Sequence, residues 1–211
     1  YNGGFPESEI YYKKSTGGGT TWLRPTRLTW ISGWSAYPVI AVDSLDRLHV
    51  FWMDNVNGQT EIYYKKSPSA GISWNSSRRL TWNSGSSGSV AAAVDNNDNI
   101  HIVWSDSTPG NRELYYKKSV DNGNTWSPVK RLTWMAGDSE NQDINVDSNG
   151  NPYVVWCDYI SGVGKVYFKG STDGGTTWTG ARRIAWTAGY STAPNININS
   201  NDIIQVVWSD N

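Results

Sequence analysis

Sulfur is nearly missing from this sequence. A single cysteine, Cys157, in 211 residues excludes an intramolecular disulfide and leaves no thiolate cluster to hold a metal. Two Met and three Phe stand against thirteen Trp, twelve Tyr and twenty-one Gly, so the straight-chain apolar residues that helices favour are scarce. No sign of charge prevails: the formal net charge is −1, with Lys and Arg spread along the chain, which argues against a nucleic acid or an anionic membrane surface as partner. No apolar run approaches the roughly 18 residues of a membrane-spanning helix, and the opening YNGGFPESE lacks the basic and apolar regions of a signal peptide. Gly-x-Ser-x-Gly, phosphate-loop and dinucleotide-binding signatures are missing too, and no cofactor is implied.

What the chain does have is one unit written four times. EIYYKKS starts at Glu9 and Glu61, returns as ELYYKKS at Glu113 and blurs to KVYFKGS at Lys165. RLTW falls at Arg27, Arg79 and Arg131, with RIAW at Arg183, so the period is 52 residues without an insertion. Within a unit, VIAVDS alternates as a half-buried strand does, RLHVFW is apolar on both sides, and polar quartets such as SLDR, NNDN and SNGN link the two as tight hairpins. EIYYKKS and RLTW complete four antiparallel strands.

A four-stranded sheet apolar on two faces must be covered by neighbours, and a period of this size is the mark of repeat architectures. The expectation is an all-β chain forming one domain over residues 1–211, a β-propeller of four four-stranded blades whose third strands start near residues 9, 61, 113 and 165. Trp52, Trp104, Trp156 and Trp208, with Trp22, Trp74, Trp126 and Trp178, would fill the wedges between blades. The chain opens with third and fourth strands and stops after a first and second. One blade is then shared between the termini, closing four blades in one chain or, as the alternative, eight in a homodimer.

The turn after each third strand repeats as STGGGTTW (Ser15 to Trp22), SPSAGISW (Ser67 to Trp74), SVDNGNTW (Ser119 to Trp126) and STDGGTTW (Ser171 to Trp178). In the last two the pattern Ser-x-Asp-x-Gly-x-Thr-Trp is complete, and it resembles the Asp-box of the BNR repeat in sialidase-like propellers. The turn residues are Ser15, Gly19 and Trp22; Ser67, Gly71 and Trp74; Ser119, Asp121, Gly123 and Trp126; and Ser171, Asp173, Gly175 and Trp178. Asp should cap turn N–H groups, Gly take a positive φ and Trp pin the turn down. Gly17 and Ser69 replace the Asp in the first two copies, which should be less well capped.

The resemblance implies, for sialidases, three arginines on a carboxylate, a Tyr–Glu nucleophile pair and an acid Asp. Here Arg27, Arg79, Arg131 and Arg183 recur once per unit, as scaffold does, and counting across the hairpins sets Glu9, Glu61 and Glu113 opposite the first three. The fourth copy offers Lys165 against Arg183. No triad assembles from Arg24, Arg47, Arg78, Arg112 and Arg182, so no catalytic residue is assigned. His49 and His101 share one position and lack a second ligand, and DNNDN (Asp95 to Asn99) lacks the bidentate Glu of a calcium loop; no metal site is expected.

Between the fourth strand and the next unit, Gly and Ser are constant while the residue between them changes: Trp34, Ser86, Asp138, Tyr190. Such loops, with those opening at Asp54, Asp106, Asp158 and Asp210, form the end away from the turns just described, where propellers bind. The candidate ligand-binding residues are Trp34, Ser35, Asp54, Ser87, Asp106, Asp138, Ser139, Asp158, Tyr190 and Ser191. An aromatic plane beside short polar groups suits a pyranose. The expected function is a non-catalytic, lectin-like binding module for glycan or another cell-surface target, secreted by virtue of the resemblance. The alternatives are a sialidase-like glycosidase fragment and an assembly scaffold that dimerises through split blades.

Overall fold

The computed structural model describes residues 7–211 and contains only strands, turns and loops among them. The chain divides into two compact units, one running to Trp82 and the other from Asn83. The first holds a two-stranded sheet of β1 (Tyr11–Tyr12) and β2 (Thr26–Arg27), and a four-stranded antiparallel sheet of β3 (Ser35–Val42), β4 (Leu48–Asn57), β5 (Gln59–Ser67) and β6 (Arg78–Arg79) in sequence order.

The second unit repeats the pattern. β7 (Ser87–Val94), β8 (Ile100–Asp106), β9 (Glu113–Ser119) and β10 (Lys130–Arg131) form one antiparallel sheet. β11 (Asp138–Val146), β12 (Pro152–Ile160), β13 (Val163–Gly170) and β14 (Arg182–Arg183) form the next, and β15 (Ser191–Ile198) with β16 (Ile204–Asp210) a two-stranded one.

Three of the four apolar second strands carry the cores: Trp52, Trp104 and Trp156 are buried as expected, whereas Trp208 on β16 and the turn residue Trp22 are 38% and 54% exposed and fill no wedge. Trp52 packs with Ile10, Leu28 and Val50 in the first unit, and Trp156 with Val103, Leu114, Leu132 and Ile144 in the second. The hairpin from first to second strand is held by one side chain. Asp95 Oδ1 accepts the N–H groups of Asn97 and Asn99, both at 2.9 Å, as Asp43, Asp147 and Asn199 do in their own turns. Beneath it, His101 bridges Asp95 and the Tyr116 hydroxyl at 3.2 and 2.8 Å; His49 repeats this with Asp43 and Tyr64. Both imidazoles are fully buried, and desolvation holds their pKa below the usual histidine value.

The fourth strands are two residues long and include only the Arg of RLTW. Its Thr takes over: Thr133 Oγ1 accepts the Leu114 N–H at 2.8 Å in place of a backbone carbonyl, and Thr29 and Thr81 do the same for Ile10 and Ile62. A side-chain acceptor thus ends the ladder. The ion pairs Glu9–Arg27, Glu61–Arg79 and Glu113–Arg131 are all formed. Their register is displaced by two residues from the count made on sequence, because Tyr11, Tyr63 and Tyr115 lie opposite the arginines and each Glu reaches diagonally. In the fourth copy Lys165 Nζ donates to the carbonyls of Thr187 and Gly189, and Arg183 Nε to that of Ala185 at 2.6 Å, which relieves the like-charge conflict.

The Ser-x-Asp-x-Gly-x-Thr-Trp turns are closed by their own side chains. Asp173 accepts from Thr177 N–H at 2.7 Å and Thr177 Oγ1 at 2.6 Å, and these bonds bring its pKa down to about 2; Asp121 holds Thr125 likewise. Where Ser69 replaces Asp, its hydroxyl still accepts the Ser73 N–H at 2.9 Å; Gly17 offers no such group. Gly175 needs to be glycine twice over, with φ at 92° and a Cβ that would lie 2.2 Å from the Tyr116 hydroxyl. The turn tryptophan meets the same tyrosine edge-on, Trp178 on Tyr116 at 5.1 Å and Trp74 on Tyr12 at 5.2 Å.

Candidate functional site

At the strand ends away from these turns, the constant Ser and Asp residues face each other. Ser35 pairs with Asp54, Ser87 with Asp106, Ser139 with Asp158 and Ser191 with Asp210 in strand register, and each hydroxyl donates to its partner's carboxylate at 2.9–3.2 Å. Except for Asp210 all are buried. They latch first strand to second, and Asp54 also receives Trp52 Nε1 at 3.0 Å and the Val56 N–H at 2.9 Å. Of the sequence candidates, Trp34 is half-buried and Asp138 and Tyr190 are exposed.

Asp138 and Tyr190 belong to the second unit, and the residues beside them have no counterparts in the other repeats. β11 begins at Asp138, whose Oδ1 accepts the Arg112 N–H at 2.7 Å from the loop before β9. Two residues on, Glu140 receives Arg112 Nε at 2.7 Å, with both side chains about one-third exposed. Asn141 occupies the β11 bulge at φ 54°, which turns its amide to the Tyr159 hydroxyl at 2.6 Å. Tyr159 OH also meets Thr192 Oγ1 at 2.7 Å, and its ring lies 5.8 Å from that of Tyr190.

Electrostatically this end is mixed. Burial drives Tyr159 well above the ordinary phenol range, so it stays a neutral donor. Burial likewise raises Asp158, with the charges of Glu113 and Asp138 adding to it. Asp158 is 1% exposed, so it cannot reach a substrate as a general acid. Glu140 is engaged by Arg112, and Tyr159 by Asn141 and Thr192, so these polar groups are held in fixed orientations. Among the described residues no cluster of three His, Cys, Asp or Glu could hold a metal ion.

The sequence reading missed Arg112, Glu140, Asn141, Tyr159 and Thr192 as one group. The signal was there in their singularity: Glu140 stands where the other units have Ala36, Gly88 and Thr192, and Tyr159 where they have Asn55, Ser107 and Asn211.

No family model and no curated protein matches the sequence. Solved structures do. A Dyadobacter fermentans protein of unknown function aligns over 84% of this chain and 62% of its own at 12% identity, with a TM-score of 0.67. A polysaccharide lyase, an ulvan lyase, aligns over 88% of this chain and 52% of its own at 14% identity and TM-score 0.66. The NanB sialidase of Streptococcus pneumoniae aligns over 93% and 32% at 16% identity and TM-score 0.59. The chain thus spans between about a third and three-fifths of the length of these proteins, and shares their fold.

Proposed function

We propose that this chain is a non-catalytic carbohydrate-binding module with an Asp-box β-propeller architecture, reading saccharides at the strand ends that carry the variable loops. The observation that carries the reading is the singular group in the second unit: an exposed Tyr190 ring 5.8 Å from that of Tyr159, whose hydroxyl meets Asn141 and Thr192, with the Arg112–Glu140 pair next to Asn141 in sequence. The ring offers a plane for the C–H face of a pyranose, and the polar groups supply oriented donors and acceptors for its hydroxyls. Similarity to a polysaccharide lyase and a sialidase supports a carbohydrate ligand, and an extracellular setting, where glycans are displayed, fits it.

A glycan array followed by calorimetry tests this. Tyr190→Ala is expected to weaken the best ligand at least about tenfold, roughly 1.4 kcal/mol, with the folded state intact. Hydrolysis of a fluorogenic sialoside by the purified chain would restore the glycosidase reading instead.

A further inference from the structure

The tryptophan that ends each RLTW or RIAW segment stays in the open: Trp30, Trp82, Trp134 and Trp186 are 64–76% exposed. Each lies under the guanidinium of the arginine three residues earlier, at 5.0–5.8 Å from ring centre. That arginine is itself pinned, because its Nε donates to the carbonyl two residues on, at 2.5–2.7 Å. The indoles are therefore held in place, yet most of their surface is left to water, at a hydrophobic cost that burial elsewhere in the fold does not require.

In the first unit Trp30 forms a wall of a cavity of about 210 Å³. Trp52 and Tyr63, stacked at 6.1 Å, line it with Asp54 and Lys65. Lys65 Nζ spends one hydrogen on the Leu28 carbonyl at 2.7 Å and lies 5.4 Å from the Trp30 ring, leaving two N–H donors. The Tyr63 hydroxyl takes the Asn57 amide at 2.9 Å and keeps its own proton to donate. Pockets for drug-sized ligands run to about 300–1,000 Å³, so this one suits a single ring.

The second unit carries the same parts 104 residues on. Lys169 Nζ donates to the Leu132 carbonyl at 2.6 Å and lies 5.8 Å from the Trp134 ring, while Trp156 stacks on Tyr167 at 5.7 Å. Trp156 Nε1 and Asp158 Oδ1, both buried, have no hydrogen-bond partner here, whereas Trp52 Nε1 is taken by Asp54.

We propose that these two places each bind one pyranose residue of an oligosaccharide, its C–H face on Trp30 or Trp134 and its hydroxyls on the neighbouring Lys and Tyr. The chain then binds saccharide at more than one point, independently of Tyr190. This shares the carbohydrate reading above but not its site, so the two can fail separately.

The probes are cellohexaose, xylohexaose, mannohexaose and hexagalacturonate, titrated by calorimetry and by tryptophan emission. A binding probe is expected to saturate two sites, one at the Trp30 cavity and one at the Trp134 face, and to blue-shift the emission. Trp30→Ala and Trp134→Ala should each remove one site and leave the other's affinity within about twofold, and the double variant should lose both. Trp30→Tyr and Trp134→Tyr, which keep a smaller plane, should weaken binding without abolishing it and guard against a folding defect. The double Ala variant binding as the parent does, or all four probes failing with the parent, would overturn the proposal. Complete loss of binding on Tyr190→Ala, with Trp30→Ala and Trp134→Ala both unchanged, would place all recognition at the other site and equally overturn this one; weakening of one further site on Tyr190→Ala, with the two Trp sites intact, supports both.

Discussion

At the scale of single residues, the fold stores its pH response in two buried imidazoles. His49 and His101 have pKa values held below 6.5 by desolvation, so below that pH the unfolded chain binds more protons than the folded one and stability falls as pH falls. Asp43 and Asp95, held low by the same histidines and by turn N–H groups, extend the loss further into acid. Thermal melts are expected to be flat above about pH 7 and to drop from about pH 6.5 downward, by at most ~1.4 kcal/mol per pH unit per histidine. A His49→Gln, His101→Gln variant should move the onset down to the carboxylate range; an unchanged onset would assign it to other groups. Cys157 gives a simpler test. Its Sγ donates to the Ser191 carbonyl at 2.8 Å, and burial raises its pKa, so a thiol reagent should react only after denaturation.

Elements here are ended and joined by side chains more than by backbone. Thr133, 2% exposed, accepts the Leu114 N–H where the β10 ladder stops, and Thr133→Val is expected to cost about 1–3 kcal/mol by leaving that donor unmet. Urea unfolding measures it. This is also where the sequence was hardest to read. The strand in VIAVDS, the polar hairpin quartets and the turn glycines were legible because each is local chemistry repeated in register, although the alternation did not give the buried face: Ile40 and Val42 are 52% exposed while Asp43 is buried. The two-residue length of the fourth strands was not, since RLTW shows its Thr but not that the hydroxyl displaces a carbonyl. The candidate site divided the same way. Constant Ser35 and Asp54 looked like loop-tip polar groups, yet their constancy serves a buried strand-to-strand latch; the variable Asp138 and Tyr190 are the exposed ones. Singular residues such as Glu140 and Tyr159 become a group only when bulge geometry and strand register bring them together.

At the scale of the whole molecule, one strand departs from its repeats. Phe51, Val103 and Val155 are fully buried on β4, β8 and β12, but Val207 at the matching place on β16 is 67% exposed, and among the described residues β16 pairs only with β15. In the complete sheets the second strand is covered by an EIYYKKS-type third strand, with Asp54 opposite Glu61 and Leu48 opposite Ser67. An uncovered edge of this composition is a template for strand addition. Light scattering is expected to give a mass above the single-chain 23.5 kDa that grows with concentration, and Val207→Lys to bring it down. A single-chain mass at every concentration would show that the edge needs no cover. For anyone handling the protein, β16 is then the place where storage, labelling and fusion partners matter: a tag or crosslinker set there competes for the same backbone groups, while one set at the opposite turns leaves them alone.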